Sequence, residues 1–432
     1  MAAAFANDET LETQEIRVLI VGAVSGNGGD AAILLATHRA VCCAAPDRRI
    51  VLDVVDSNPE MTRRIIAEAN DVFDSRPAAL GARRSRRARL GAKVRRVLTE
   101  AGLLARPAIS DPMTLPSEAV THAIGRADVV VYTGGTSLVE HYELGGKFGV
   151  MRTALLMGKP LVLATQSLGP FARPQNIERM RVAAAGAAAV LLRDERSLRH
   201  LREIDADTGR AELLPDVAFV LADLQRLARD RSPSSEGAPV RVAVSTRAWS
   251  HFASRSARAG HRRYVRALAG VTTWLVNEIG AEVTFLSTCQ GIDSYWADDS
   301  ACAAEVVASL EPGVRALVLL RRDHVAPELL RDAYGGFDLV VATRMHAAIL
   351  ALCAGTPVVP ISYEFKTKEL FGSLGLPELV IDIEEVTASG LIEVVRAALA
   401  RLPQLRTVLG DVLPGWADDA ALVGVRIVEA AS

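Results

Sequence analysis

Ten short apolar runs, each closed by a polar or glycine-rich turn and set between helix-forming stretches, fix the fold class of this chain. Five fall at residues 17–22, 50–55, 128–132, 160–165 and 188–192, and five more at 240–245, 282–287, 314–319, 337–341 and 357–361. β-rich runs alternating with helical segments are the pattern of parallel α/β layers. Between the two series, residues 229–239 (RDRSPSSEGAP) are polar and carry helix breakers, the composition of a hinge. The expected architecture is α/β, with two Rossmann-like doubly wound domains facing each other across a cleft. A flexible tail spans 1–15, the first domain 16–228, the hinge 229–239 and the second domain 240–432. Ligands in such sheets collect beyond the C-terminal ends of the strands, so the site is expected between the domains.

Composition removes several classes of function. With 432 residues, half of them apolar, the chain can fill two ordinary cores. A net charge of -2 gives no general attraction for nucleic acid. The five cysteines (Cys42, Cys43, Cys289, Cys302 and Cys353) are odd in number and lack a CxxC spacing, which points to a reduced, cytoplasmic protein without a zinc framework. No metal-ligand spacing occurs elsewhere. Residues 1–15 lack the basic and apolar segments of a signal peptide, and no run approaches the roughly twenty apolar residues of a membrane span. An arginine-rich run at 83–96 reads either as a solvated face or as a patch lying against anionic lipid at the inner face of a membrane.

The charged residues gather at strand ends. Thr343 can cap a helix start, which places Arg344 and His346 in a first helical turn beside unpaired amides and the positive end of the dipole, an anion site. Tyr363 and Lys366 follow the next strand. The first strand runs into Gly26-Asn27-Gly28-Gly29-Asp30, where glycines allow close approach of backbone to a ligand or merely make a tight turn. Gly134, Gly135 and Thr136 close another strand, followed by Glu140 and His141; Gln166 and Ser167 end its neighbour. Hydroxyls, an amide and bare backbone there suit a polyhydroxylated ligand. Arg193 either grips a carboxylate through parallel N–H bonds or pairs with Asp194 or Glu195 at the surface. Asp216 either caps a helix or bridges the domains.

In this order, Gly26-Asn27-Gly28-Gly29-Asp30, Gly134-Gly135, Gln166-Ser167-Leu168-Gly169-Pro170, Arg193-Asp194 with Ser197, Pro215-Asp216, Thr343-Arg344-Met345-His346, and Tyr363 with Lys366 resemble the polysaccharide pyruvyl transferase family. The resemblance implies a GT-B-like pair of domains that moves the enolpyruvyl group of phosphoenolpyruvate onto a sugar and closes it as a cyclic pyruvate ketal. It assigns the donor site to Arg193, His346 and Lys366. Two positions depart from the family's usual pattern: Met345 stands for leucine, and Thr136 for a frequent third glycine, a change that would suit a different acceptor.

The implied chemistry asks for cations. Phosphoenolpyruvate carries a phosphate and a carboxylate, so Arg344, Lys366 and the helix start would take the phosphate and Arg193 the carboxylate. His346 would protonate the methylene carbon, or else serve only as a phosphate donor. The base for the acceptor hydroxyl is Asp30 or Glu140. Candidates on the acceptor side are Asn27, Asp30, Gly134, Gly135, Glu140, His141 and Gln166. No cofactor is obligatory; the partners are phosphoenolpyruvate and a glycan or lipid-linked sugar. Two other readings keep the architecture: a sugar-nucleotide glycosyltransferase, and a non-catalytic ligand-binding protein.

Overall fold

The computed structural model describes residues 15–75, 112–228, 238–293 and 295–432. The expectations for residues 1–14, for the arginine run at 83–96 and for residues 229–237 of the hinge lie outside the described residues. The first sheet contains β1 (Glu15–Ala23), β2 (Arg49–Asp56), β3 (Asp71–Asp74), β4 (Val129–Tyr132), β5 (Leu161–Gln166), β6 (Ala189–Leu192) and β7 (Ala211–Leu213) in the order β3-β2-β1-β4-β5-β6-β7. The second contains β8 (Arg241–Ser245), β9 (Glu282–Phe285), β10 (Val318–Leu320), β11 (Leu339–Ala342), β12 (Val358–Ser362) and β13 (Ile381–Asp382) in the order β10-β9-β8-β11-β12-β13. Every pairing in both sheets is parallel.

The strand sequences explain this arrangement. Every residue of β4 (VVVY) and β5 (LVLATQ) is buried, because helices cover both faces of a parallel sheet. Each sheet turns back at its first strand, β1 or β8, which puts the switch point of the strand order beside the turn that follows. The sequence places a strand at 314–319; there the structure has a short helix, Pro312–Arg315, ahead of β10. Proline opens that helix at its first position, where its missing N–H costs nothing.

The final helix, Leu402–Ala431, which the sequence groups with the second unit, lies mainly on the first, against the helix Gly28–Ala44 and the turn Val217–Leu221. Its buried face (Leu405, Leu409, Leu413, Ala420, Val423 and Ile427) follows a helical period. A Cβ at Gly424 would lie 2.0 Å from the carbonyl oxygen of Ala40, so only glycine lets the two helices approach this closely. One apolar cluster therefore runs from Ile16 through Val244 and Leu350 to Ile427, joining the cores of the two units. A second cluster, including Leu19, Val130 and Met151, fills the other face of the first sheet. No helix among the described residues is long and apolar enough to cross a membrane.

Candidate active site

The turns at the ends of β4, β5 and β6 meet around Arg193. Its Nε donates to Ser167 Oγ (2.8 Å), one Nη to Asp216, and the other to Thr136 Oγ1 (2.6 Å). Asp216 accepts from the Ala218 amide (2.9 Å) at the start of the Val217–Leu221 turn, so it both caps that turn and holds the arginine. Burial opposes its charge, but Arg193 and then His346 outweigh burial and hold the carboxyl far below the usual range. Asp194 is not the partner of Arg193. It caps the helix Glu195–Glu203 through the Ser197 amide (2.7 Å) and accepts from Ser167 Oγ (2.6 Å), which fixes the hydroxyl that Arg193 uses.

Across the cleft, the helix after β11 starts one residue later than the sequence suggests. Thr343 Oγ1 is bonded to the buried Tyr264 hydroxyl (2.6 Å), so it caps nothing; Arg344 occupies the N-cap position, and no side chain caps the helix Met345–Cys353. Arg344 closes a two-pronged pair with Asp299 (2.6 and 2.9 Å), both side chains buried. Arg344, expected to face a phosphate, is engaged in this pair through Nε and one Nη. His346, in the first turn, turns Nε2 toward Asp216 Oδ2 at 3.4 Å and lays Nδ1 over Gly29, where a Cβ would come within 2.6 Å. Lys366 opens the helix Phe365–Ser373 and reaches Glu364 Oε2 (2.7 Å) and Thr136 Oγ1 (3.1 Å). Arg193, His346 and Lys366, far apart in sequence, thus meet around Asp216 and Thr136.

The acceptor-side candidates divide. Asn27 caps the helix Gly28–Ala44 through the Gly29 amide (3.0 Å) and receives a bond from Cys289 Sγ (3.2 Å) of the second unit. A Cβ at Gly28 would lie 2.1 Å from the Thr288 carbonyl oxygen, so the glycines of this turn admit the opposing unit. Glu140 accepts from the amides of Ala172 and Arg173 and from Asn176 Nδ2, each at 3.0 Å, which commits its carboxylate to the start of the helix Pro174–Gly186. Gln166 donates its side-chain amide to the Thr133 carbonyl, and its buried side-chain Oε1 has no partner among the described residues. Gly134 packs against Thr165 and Ile33, while Gly135 has φ 122°, a conformation that glycine adopts readily. His141 stacks on Tyr142 with ring centres 4.3 Å apart; desolvation lowers its pKa against the pull of Glu364.

Asp30 stands apart from these. Among the described residues no hydrogen bond or ion pair engages its half-buried carboxylate. Burial raises its pKa, and His346, Lys366, Arg193 and Arg344 all oppose that rise without overcoming it. Sequence reasoning missed Asp299, which carries no motif and pairs with Arg344 inside the second unit, and Thr288 and Cys289, which meet Gly28 and Asn27 only when the two units dock. It also missed Trp249, whose ring lies 4.6 Å from that of Tyr363, and Arg247 stacked on Tyr363 at 4.2 Å. Among the described residues no group of three or more His, Cys, Asp or Glu side chains is placed to hold a metal ion.

Known proteins share this architecture. UDP-GlcNAc 2-epimerase from Neisseria meningitidis, solved with UDP-GlcNAc, superposes with a TM-score of 0.56 at 9% identity, over 96% of this chain and 99% of that one. Anabaena Alr3699/HepE, solved with UDP, gives a TM-score of 0.56 at 13% identity, over 96% and 98%. These likenesses are of fold, and the fold is GT-B-like. In sequence, the amylovoran biosynthesis protein AmsJ of Erwinia amylovora is 27% identical over 290 residues, 65% of this chain and 67% of that protein. Residues 27–364 match the family described as Polysaccharide pyruvyl transferase. That span carries Asp30, Arg193, Asp216 and His346 and stops two residues short of Lys366, and the chain belongs to the polysaccharide pyruvyl transferase family.

Proposed function

We propose that the chain transfers the enolpyruvyl group of phosphoenolpyruvate to a terminal sugar of a glycan or glycolipid, forming a cyclic pyruvate ketal and releasing phosphate. The observation that carries this reading is the meeting of Arg193 from one unit with His346 and Lys366 from the other, around Asp216 and Thr136. Three cationic or protonatable groups from both sides of a cleft suit a small ligand with an anion at each end. Arg193 would face the carboxylate. The amides at the start of the helix Met345–Cys353, which has no side-chain cap, would face the phosphate, and Lys366, bonded to Thr136 Oγ1 beside Arg193, would lie on the carboxylate side between the two anions.

The chemistry follows from that placement. His346, beside Asp216, would deliver a proton to the methylene carbon, leaving an oxocarbenium-like centre at the neighbouring carbon. A sugar hydroxyl attacks that carbon and gives up its proton. Asp30 is the better base of the two carboxylates considered, because Glu140 is bound by three donors whereas Asp30 has no hydrogen bond among the described residues and has a raised pKa. The C–O bond to phosphate then breaks, and a second hydroxyl attacks the same carbon, passing its proton to the departing phosphate as the ketal closes. Thermal shift with phosphoenolpyruvate against a panel of sugar nucleotides tests the reading, since a ligand of the folded state raises apparent stability. Stabilisation selective for phosphoenolpyruvate and lost in Arg193→Ala is expected. Stabilisation by a sugar nucleotide with phosphoenolpyruvate inert overturns it.

A further inference from the structure

Thr136 Oγ1 accepts two hydrogen bonds from cations, Arg193 Nη at 2.6 Å from its own unit and Lys366 Nζ at 3.1 Å from the other. We propose that Thr136 is a positioning residue which holds Arg193 and Lys366 together across the cleft, and that its hydroxyl marks the point where a carboxylate oxygen of the donor binds. The inference rests on the donor reading above and deepens it.

Two positive groups aimed at one neutral oxygen are an incomplete electrostatic arrangement. Each cation already has an acid on another side, Asp216 for Arg193 and Glu364 for Lys366, and neither acid is bonded to Thr136. The inward directions of both cations therefore converge where an anionic oxygen would satisfy them better than a hydroxyl does. Geometry favours a carboxylate over a phosphate there. Thr136 follows β4 and Arg193 follows β6, both on the first sheet, whereas the uncapped helix start lies beyond β11 on the second. A donor lying between them would place its two anions at opposite walls.

Thr136 also fixes the spacing of the grip. Ser167 and Asp216 hold the rest of the Arg193 guanidinium, so the Thr136 bond is what extends the first unit's grip to Lys366. Serine keeps the hydroxyl; valine keeps the shape and loses the acceptor, leaving the two cations to repel.

Calorimetric titration of the full chain with phosphoenolpyruvate and, separately, with inorganic phosphate tests this, alongside steady-state kinetics. In Thr136→Val, phosphoenolpyruvate affinity should fall and KM rise by roughly tenfold, the worth of one hydrogen bond to a charged group, while kcat changes far less. Affinity for inorganic phosphate should stay as in the wild type, and Thr136→Ser should recover phosphoenolpyruvate affinity. Unchanged phosphoenolpyruvate binding by Thr136→Val overturns the inference, as does an equal loss of phosphate binding or a failure of serine to rescue. Wild-type protein that takes up no phosphoenolpyruvate sinks the donor reading itself, an outcome distinct from wild-type binding that valine leaves intact.

Discussion

His346 of the second unit turns Nε2 to within 3.4 Å of Asp216 Oδ2 of the first, the same oxygen that Arg193 binds. One buried carboxylate thus orients a histidine and an arginine that arrive from opposite sides. Asp216→Asn keeps the shape and removes the charge that selects the imidazole's orientation. Turnover should fall by about 10²–10⁴-fold, with phosphoenolpyruvate binding reduced much less. Single-turnover rates and equilibrium titration separate the two effects. An asparagine variant with near wild-type turnover would remove Asp216 from the mechanism.

Arg344 and Asp299 make a different kind of pair, bonded at 2.6 and 2.9 Å with both side chains shielded from water. Arg344→Ala leaves Asp299 buried without a counter-charge and should cost about 3–5 kcal/mol in chemical denaturation. Adding Asp299→Ala should recover much of that loss, because the orphaned charge is then gone. If Arg344→Ala instead weakens phosphoenolpyruvate binding at unchanged stability, Arg344 is a ligand residue after all.

What could be read from sequence follows from where the signal resides. All ten apolar runs lie on or beside strands of the structure, because a parallel strand buried on both faces needs a near-continuous apolar run. Three of the four edge strands, β3 (DVFD), β7 (AEL) and β13 (ID), were not legible: they are short and largely half-exposed, so they need no such run. Arg193, His346 and Lys366 could be named because motifs carry them. The fates of Arg344 and Glu140 could not, since each depends on a partner 45 or 36 residues away or less. The Gly26–Asp30 turn was ambiguous for a physical reason. Glycine signals close approach but does not say to what, and here the close neighbour includes Thr288 and His346 of the other unit.

Asp30 and Asp216 should respond to pH with opposite signs. Asp216, with its pKa depressed, contributes stability that is present above the unfolded carboxylate value and fades as pH falls toward the folded one. Asp30, with its pKa raised, contributes stability only while protonated, which is lost as pH rises through the raised value. Asp30→Asn should therefore raise the thermal midpoint at neutral pH. That gain should vanish at about pH 3, below the ordinary aspartate value of roughly 3.9. The same variant should lose most of its turnover if Asp30 takes the acceptor's proton. Equal midpoints at both pH values would show that Asp30 carries no such cost.

Two glycines with similar local crowding test whether the cleft must close. A Cβ at Gly28 would meet the Thr288 carbonyl oxygen at 2.1 Å, between the units and beside His346; one at Gly424 would meet Ala40 O at 2.0 Å, in the packing of the final helix. Neither glycine has a positive φ, so alanine acts through bulk alone. Each substitution should cost roughly 1–3 kcal/mol of packing. In Gly424→Ala that cost should appear in global unfolding, with donor affinity preserved in the folded protein. In Gly28→Ala it should fall on the closed arrangement, which brings His346 and Lys366 to Arg193, so donor affinity drops as the closed fraction does. Titration with phosphoenolpyruvate alongside denaturant unfolding of both variants decides the matter. Equal donor affinities in the two would mean that closure against Gly28 is not needed to build the site.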